Sequence, residues 1–416
     1  MSGLPDNSPA NTVREDSERK GLLFAGTENA VWVSFNNGES WQSLQLNLPH
    51  TSMRDLWVHE NDLIVATHGR GFWVLDDIAS LRQFAPEISH EAHLFNPAPA
   101  YRVRRSTYTD TPIPPDEPMA ENPPDGAIID YYLPTSSSAP VTLEVLDSQG
   151  KLVRKFLSTD KPELSQEELK KGLIPLYWLQ APATLSADGG IHRWIWDLRY
   201  PSPISTEHEY PIAATPHRTP RYPLGPTALP GNYTLRLTAD GKTFSAALLV
   251  KMDPRVKTPA AGLQKKFELE TQLASAITRS SQAVMQARSA QEQLQKLADA
   301  HSELSERAQS LKAKVSSLLE GPKDGGSAKD QPTLKNSNSN VIALNKEVEK
   351  ADAEPTAAAI NAADKVHSDL ESLLKLWEEL KNGDLQKLNV KLSAVDLPGI
   401  DFDRLPEHEE AGENEE

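Results

Sequence analysis

The stretch LLFAGTENAVWVSF, from Leu22 to Phe35, and the stretch DLIVATHGRGFWVLD, from Asp62 to Asp76, are two copies of one pattern. Each copy is a short apolar run, a turn and a second run with an aromatic residue near its middle. Thr27 in the first copy aligns with Thr67 in the second, about forty residues later. Short apolar runs bounded by turn residues are typical of β-strands, so each copy predicts a pair of antiparallel strands.

Further strand candidates flank both copies. They are SWQSLQL after the first copy, MRDLWVH before the second and LRQF after it. Four short strands that recur at about forty residues are typical of a β-propeller blade. The sequence therefore predicts two blades within residues 1–84, the first ending near Leu46 and the second spanning Met53 to Phe84.

The loop that follows the first copy reads SFNNGESW, from Ser34 to Trp41. It resembles the Asp-box, or BNR, repeat S-x-D-x-G-x-[ST]-W, with Asn36 at the aspartate position. An Asx side chain accepts backbone N–H groups within a turn, and glycine supplies a positive φ. These residues are therefore predicted to shape the turn rather than to perform chemistry: Ser34, Asn36, Gly38, Ser40 and Trp41.

Longer segments resemble the last two blades of large bacterial sortilin-like BNR-repeat proteins, which are often labelled glycosyl hydrolases. The resembling segments are VREDSERKGLLFAGTE, VSFNNGESWQSLQLNLP, DLIVATHGRGFWVLDDIASLRQF, GAIIDYYLP, HRWIWDLRYPSP, ALPGNYTLRLTADGKTF and VKMDPRV. The resemblance covers most of the chain and implies that it is the C-terminal part of a larger propeller protein. It also implies full-length relatives that are secreted or periplasmic.

Two functions from different classes are compatible with the resemblance. The first is a non-catalytic binding and scaffold module for a peptide or carbohydrate ligand, with missing propeller blades or another copy of the chain as further partners. The second is the non-catalytic C-terminal portion of a BNR-type glycoside hydrolase. Paired acidic residues on channel-facing strands would favour the hydrolase. Because no such pair can be assigned from the sequence, we favour the binding module.

Residues 85–253 predict an immunoglobulin or fibronectin III-like β-sandwich. The strand candidates are AHLFNPAPAYRV, AIIDYYL, VTLEVLD, KLVRKFL, GIHRWIWDLRY, NYTLRLT and KTFSAALLV. The segments SQGK and ADGK are hairpin turn signals between two neighbouring pairs of these strands. Proline-rich loops near 109–125 and 201–230 predict extended crossings of the sandwich.

Residues 254–395 predict an antiparallel helical hairpin. Thr258 and Pro259 are suited to the start of the first helix. Apolar residues at spacings of three and four form one heptad seam from Leu294 to Leu318, and this seam includes His301. An intermolecular coiled coil is the alternative.

The second helix is predicted from a seam over Ala363 to Leu380, with Asn382 and Gly383 as its stop signal. A flexible polar linker at 321–340 separates the two seams, and its length favours a hairpin within one chain. An acidic tail follows over residues 396–416. The predicted chain is thus multidomain, mainly β and then α.

Composition excludes several functions. The 416-residue chain carries a formal charge of -16, whereas non-specific nucleic-acid binding requires a basic surface. The absence of cysteine excludes disulfides and thiolate metal sites. The first twenty residues contain no apolar run, so no signal peptide is expected in this chain. No stretch approaches the ~18 apolar residues of a membrane span.

Few residues are candidates for chemistry, and the sequence predicts no catalytic residue, metal ligand or cofactor. Asp76 and Asp77 are adjacent, but neighbours in a strand point to opposite faces, which favours a strand-end turn over a carboxylate pair. His68 and Arg70 are candidate ligand-binding residues in the turn of the second copy. Trp194 and Trp196 share a strand face and are either a carbohydrate platform or core.

Overall fold

The structure is a computed structural model that describes residues 2–85, 90–104, 114, 116–117, 120–162, 164–172, 174–181, 183–211, 215–321 and 331–403. Within these residues the chain forms four β-sheets followed by a group of helices. The prediction of a multidomain chain that is mainly β and then α is confirmed. The predicted crossing at 109–125, the linker and the acidic tail lie partly outside the described residues. The prediction of a flexible linker up to residue 340 is wrong at its end, because a helix begins at Leu334 after an N-cap at Thr333.

Two antiparallel sheets begin the chain. The first sheet has the order β1 (Ala10–Glu15), β2 (Leu23–Thr27), β3 (Val31–Ser34) and β4 (Gln42–Ser43). The second sheet has the order β5 (Met53–His59), β6 (Asp62–Thr67) and β7 (Phe72–Leu75).

The two sheets repeat one another strand by strand. Strands β1, β2 and β3 correspond to β5, β6 and β7, and the correspondence extends to an irregularity. The pairing register of β1 shifts between Ala10 and Thr12, and that of β5 shifts between Met53 and Asp55, which occupy equivalent positions. A bulge at the same point in both copies indicates one structural unit used twice.

The segment LRQF, predicted to be the fourth strand of the second copy, is not a strand. It lies in a short helix, α1 (Ala79–Gln83), so the second sheet has three strands. The physical reason is local. Asp77 adopts a φ of 53° and its carboxylate accepts the N–H of Ala79, which turns the chain into a helix. The helix places Arg82 against the buried carboxylate of Asp16 at 2.9 Å.

The two sheets pack face to face around one apolar cluster. The face that carries Phe24, Val31 and Val33 in the first sheet is called its front face. The corresponding front face of the second sheet carries Ile64, Phe72 and Val74, and the opposite faces are called back faces. The front face of the first sheet packs on the back face of the second, where Leu56, Leu63 and Val65 are buried.

Two further sheets enclose a second core. The three-stranded sheet has the order β13 (Gly190–Trp196), β10 (Ala127–Leu133) and β8 (His93–Leu94). The five-stranded sheet has the order β12 (Leu152–Leu157), β11 (Thr142–Leu146), β14 (Gly231–Ala239), β15 (Lys242–Met252) and β9 (Ala100–Arg102). All seven predicted strand segments contain a strand. Both predicted hairpins form, and the ADGK turn uses positive φ at Asp240 and Gly241.

Short helical segments interrupt the region between β12 and β13. Helix α2 (Gln166–Lys171) begins at a capping box in which Ser165 and Glu168 bond reciprocally. A 3₁₀ turn follows at Leu176–Trp178.

In the described part of the C-terminal region, residues 254–321 and 331–403, there are five α-helices rather than two. They are α3 (Ala260–Ala300), α4 (Ser302–Glu320), α5 (Leu334–Glu349), α6 (Ala357–Leu380) and α7 (Gln386–Ala394). Helix α3 packs against α4, α5 and α6, with apolar clusters along its length. The prediction of a simple helical hairpin is therefore wrong, although its antiparallel packing within one chain is present.

Two predicted helix boundaries are wrong, and a third, the start of the first helix, is displaced by one residue. The seam from Leu294 to Leu318 is broken at His301, whose extended backbone separates α3 from α4. Helix α3 has Pro259 at its N-cap, while the Thr258 hydroxyl donates to the carbonyl of Asp352. The expected stop at Asn382 and Gly383 is a π-helical turn (Lys381–Leu385) that leads into α7 and buries Leu385.

Candidate functional site

One end of the two N-terminal sheets is built from turns, and we call it the turn end. Thr27 donates its hydroxyl and its N–H to the carbonyl of Ala30, and Thr67 does the same to Gly71. The segment before β5 joins these turns, because Ser52 accepts the N–H of His68 at 2.8 Å. The repeated threonines therefore give both sheets equivalent turns, of which the second is one residue longer and contains His68.

Polar side chains connect the two sheets at this end. Asn11 of β1 donates its amide to the hydroxyl of Ser52 at 3.1 Å and to the carbonyl of Met53 at 3.2 Å. Glu28 lies opposite Arg54 at 3.7 Å. Hydrogen bonds from Asn11 and Ser52 hold the pKa of Glu28 below its usual value, and the charges of Arg54 and His68 act in the same direction.

His68 and Arg70, the two predicted ligand-binding residues, are both exposed at the turn end. The turn places glycine on either side of Arg70, and Gly69 and Gly71 have φ of 72° and 75°. Since that backbone conformation is accessible mainly to glycine, the sequence GRG fixes the turn that presents the guanidinium. The Arg70 carbonyl also accepts the indole N–H of Trp73 at 3.0 Å.

The structure adds residues that sequence reasoning missed. Asn11, Glu28 and Arg54 lie far apart in the chain and become neighbours of His68 only when the two sheets pack together. In the sequence, Glu28 lies next to the first repeated turn, whereas Asn11 and Arg54 lie far from both turns. Asn11, Arg54 and His68 offer amide, guanidinium and imidazole groups near the Glu28 carboxylate, and Arg70 adds an exposed guanidinium in the turn of His68, an arrangement suited to carboxylates or hydroxyl groups of a ligand.

A shallow apolar groove lies beside the turn end, between the segment that follows β4 and strand β7. Gln45 holds this segment in place, because its side chain accepts the N–H of Val31 and donates to the carbonyls of Leu48 and Pro49. The groove is lined mainly by apolar side chains, including Leu44, Leu46, Leu48, Leu63, Trp73 and Val74. It could receive an apolar side chain of a peptide or the face of a sugar ring.

The five Asp-box-like residues lie at the other end of the first sheet and bond to one another. Asn36 accepts the N–H of Ser40 and the hydroxyl of Ser34, at 2.9 and 3.0 Å. Gly38 has a φ of 85° and donates its N–H to Ser34, and Trp41 is buried with its indole N–H on the carbonyl of Gly38. These contacts stabilise the turn.

Asp76 and Asp77 contact the three-stranded sheet. Arg193 of β13 donates to the carbonyls of Asp76 and Asp77 at 2.5 and 2.7 Å and holds the buried Asp130 of β10 in a bidentate pair. The Ser80 hydroxyl donates to the same carboxylate at 2.6 Å. Burial raises the pKa of Asp77. The turn role predicted for this acidic pair is present, and it also attaches the second sheet to the next region.

The two tryptophans of β13 do not form a surface platform. Trp196 is fully buried in the core between the two larger sheets and donates its indole N–H to the carbonyl of Arg199. Trp194 is half-buried against the same core and contacts the ring of Phe156 at 4.9 Å. The carbohydrate reading of this pair is therefore wrong, because the face of β13 that carries both tryptophans packs against the core shared with the five-stranded sheet.

A buried ionic cluster joins the five-stranded sheet to the helices, and sequence reasoning missed it. Asp352 pairs with Arg102 of β9 and with Lys266 of α3, whose ammonium lies 3.3 Å from the carboxylate and is 1% exposed. Lys266 also pairs with Glu270 at 3.0 Å, and Arg199 pairs with Glu349 at 2.6 Å. The sequence held one indication of this cluster. Lys266 and Glu270 are oppositely charged and four residues apart, and they occupy buried positions of one helix.

No family model matches the chain, and no curated protein matches it. Among solved structures, the extracellular domain of a hybrid two-component system from B. thetaiotaomicron is similar at 11% identity, over 61% of this chain and 26% of that one. Its TM-score is 0.15, so the similarity supports no structural argument. Within the described ranges, no helix combines the length and apolar character needed to cross a membrane.

Proposed function

We propose that this chain is a non-catalytic binding and scaffold module for a peptide or glycan ligand. In this proposal the two N-terminal sheets are the last two blades of a BNR-repeat β-propeller, corresponding to the C-terminal part of the larger sortilin-like proteins. The region from 85 to 253 is an immunoglobulin or fibronectin III-like sandwich that supports the blades, and the helices form a rigid docking arm.

The observation that carries the proposal is the front-to-back packing of two equivalent sheets. Strand β1 of the first sheet lies beside β5 of the second, and Arg14 donates to the carbonyl of Leu56 across this line at 2.8 Å. Equivalent strands therefore lie side by side along one edge of both sheets. Radial repetition of such sheets around a common axis is the architecture of a propeller.

The turn end supports the choice of ligand. The exposed donors Arg54 and His68 lie near Glu28, Arg70 is exposed in the same turn as His68, and strand β7, which follows this turn, lines the apolar groove. A few convergent polar groups beside an apolar surface are typical of sites that bind small ligands or peptide segments. A carboxylate or a row of sugar hydroxyls would satisfy the donors, and an apolar group would occupy the groove.

The arrangement of the acidic pair argues against a glycosidase in this chain. The carbonyls of Asp76 and Asp77 hold Arg193, and the Asp77 carboxylate accepts the N–H of Ala79. A glycosidase needs two carboxyl groups that face each other across the scissile bond. Asp77 acts instead as a structural residue in the turn that precedes α1.

The test is a binding screen of the full chain on a glycan array and on a displayed peptide library. We expect at least one ligand class to bind, and Arg70→Ala and His68→Ala to weaken binding about tenfold, because each removes an exposed donor. His367→Ala is the matched control, since His367 is exposed on α6, outside the turn end.

Two results would contradict the proposal. One is binding that neither turn-end variant changes, or no binding in either screen. The other is turnover of a polysaccharide by the purified chain that is abolished by Asp77→Ala, which would restore the glycoside hydrolase reading.

A further inference from the structure

The front face of the second sheet is apolar and uncovered. Phe72 is 80% exposed, Trp57 60% and Val74 51%, and these side chains share one face with Ile64. Their equivalents in the first sheet show how unusual this is. Val31 and Val33 occupy the positions of Phe72 and Val74, and they are 0% and 3% exposed because the second sheet covers them.

The back face of the first sheet is the other uncovered surface. Val13 is 47% exposed, and its neighbours Leu23 and Trp32 are half-buried. In the second sheet the equivalent of Val13 is Leu56, which is 0% exposed because it packs on the first sheet. Each sheet therefore has one face packed against the other sheet and one that the other sheet leaves uncovered, although on the back face of the first sheet Ala25 and Ser34 are buried at 1% and 0% exposure.

The open faces are of opposite kinds. The existing interface joins a front face to a back face, and the chain leaves open one front face and one back face. Both open faces carry apolar side chains. The open front face carries Trp57, Phe72 and Val74, and the open back face presents Val13, where the second sheet has Leu56, together with Trp32.

We infer that a second copy of this chain docks the back face of its first sheet onto the front face of the second sheet. The inference rests on the blade arrangement in the proposed function and continues the interface already present inside the chain. The contact is heterologous, so each copy keeps one open face of each kind. Repetition then closes into a ring or extends into a filament, and three or four copies would supply six or eight sheets, within the range of known propellers.

A symmetric contact between two front faces explains the surface less well. It would place Phe72 and Trp57 of one copy against the same large side chains of the other, and no front-to-front packing exists within the chain. Exposed apolar patches of several large side chains are rare on soluble monomers, so some partner for this face is expected. The head-to-tail contact reuses a packing that the sequence already supports.

The charge of the chain predicts how the contact responds to salt. Each copy carries a formal charge of -16, so two copies repel one another at low ionic strength. Salt screens this repulsion and does not weaken the apolar contact. Self-association should therefore strengthen as the salt concentration rises, whereas an interface held by ion pairs would weaken.

The experiment measures the mass of the full chain by light scattering and sedimentation over a range of concentrations. The wild type should exceed the single-chain mass of 45.8 kDa as concentration rises. Val74→Glu on the front face and Val13→Glu on the back face should each weaken self-association ~100-fold, because each buries an unpaired charge. Leu152→Glu, at an exposed apolar position on β12, should leave it unchanged.

Mixing the two variants gives the sharpest result. The Val13→Glu chain keeps an intact front face and the Val74→Glu chain keeps an intact back face, so the mixture should form a 1:1 dimer that cannot grow. That complex would also show that both variants are folded. A symmetric front-to-front contact predicts instead that Val13→Glu associates like wild type.

The inference is overturned by a wild type that stays monomeric at all concentrations and salt levels. It is equally overturned by a mixture that forms no complex, or by a Leu152→Glu control that weakens association as strongly as the test variants. These outcomes leave the ligand-binding test of the proposed function unaffected, because that test depends on Arg70 and His68 at the turn end.

Discussion

At the scale of single residues, Asp77 meets several structural demands at once. It adopts a positive φ of 53°, caps the start of α1 by accepting the N–H of Ala79, and offers its carbonyl to Arg193. Asparagine and aspartate tolerate this backbone conformation better than most residues. The cost is electrostatic, since burial raises the pKa of the carboxyl group despite the hydrogen bond from Ala79 and the charge of Arg193.

The raised pKa makes a prediction with a definite sign. An acid with a raised folded-state pKa binds its proton more readily in the folded chain, so stability is lost as pH rises from about 3.9 through the raised value. Asp77→Asn keeps the acceptor and the backbone tolerance but removes the buried charge. We expect it to unfold at the same or a higher temperature than wild type at pH 7, with the difference disappearing near pH 4.

Thermal unfolding between pH 4 and pH 8 measures this difference, with Asp77→Ala as the companion variant. Alanine loses the hydrogen bond to Ala79 and tolerates positive φ poorly, so it should be less stable than wild type at every pH. An Asp77→Asn variant that melts clearly below wild type at pH 7 would show that the negative charge is stabilising.

Local chemistry at this scale is predictable from the sequence, whereas distant partners are not. The turn bonds of Asn36, Gly38 and Trp41 join residues within a few positions of one another, so residue type and spacing are enough to predict them. The bond between Ser80 and Asp130 joins residues fifty positions apart. Nothing in the residues around either side chain indicates the other, because the contact depends on how two sheets are placed.

At the scale of elements, the strands were predictable and the helices less so. Alternation and hairpin turns located the strands of the sandwich region, since strands show a pattern of period two, although the segment AHLFNPAPAYRV contains both β8 and β9. The α3–α4 turn was missed because a seam with spacings of three and four can continue through a tight turn. Leu294 and Val315 both reach the same core, but they do so from two antiparallel helices rather than along one.

Leu294 tests the packing of these helices. It is fully buried in the core that α3 shares with α4, whereas Leu376 on α6 is 52% exposed. We expect Leu294→Ala to lower the local unfolding free energy by about 2–5 kcal/mol, because truncation leaves a cavity. Leu376→Ala should change it by less than about 0.5 kcal/mol.

Hydrogen exchange of the α3 and α4 amides measures this local unfolding free energy, and it does not require the whole chain to unfold as one unit. The same loss of protection should appear in both helices, since the cavity lies between them. Loss of protection confined to α3, with α4 unchanged, would show that the two helices do not share a core.

At the scale of the whole molecule, charged groups connect the regions, beside aromatic contacts such as Phe84 with Tyr132 and Tyr200 with Phe267. Arg193 holds the second sheet against β10, and the pairs around Asp352 hold β9 against α3. Removal of one member of a buried ion pair leaves an uncompensated charge, which is costly, while the intact pair adds little to stability on its own. Such contacts fix the relative placement of neighbouring regions.

The buried ionic cluster around Asp352 can be compared with an exposed ion pair on the same helix, which serves as its control. Lys266 and Lys265 are neighbours on α3, and each pairs with a carboxylate in the segment between α5 and α6. The Lys266–Asp352 pair is buried, with side chains 1% and 6% exposed, whereas the Lys265–Glu354 pair at 2.5 Å is 59% and 51% exposed. The two pairs thus differ chiefly in burial.

We expect Asp352→Asn to lower the free energy of opening the first turns of α3 by about 3–5 kcal/mol, because Arg102 and Lys266 lose their shared counter-charge. Glu354→Gln should change it by about 0.5 kcal/mol or less, since water and salt screen an exposed pair.

Burial alone would raise the pKa of Asp352, but the charges of Arg102 and Lys266 outweigh it and hold the pKa below its usual value. The stabilisation is therefore complete above about pH 4 and is lost as pH falls through the lowered pKa, so wild type and Asp352→Asn should converge only under acidic conditions. Hydrogen exchange across α3 at pH 7 tests the difference between the two variants, and proteolysis of the opened chain near pH 3 tests the convergence. Equal effects of Asp352→Asn and Glu354→Gln at pH 7 would show that burial does not set the strength of this connection.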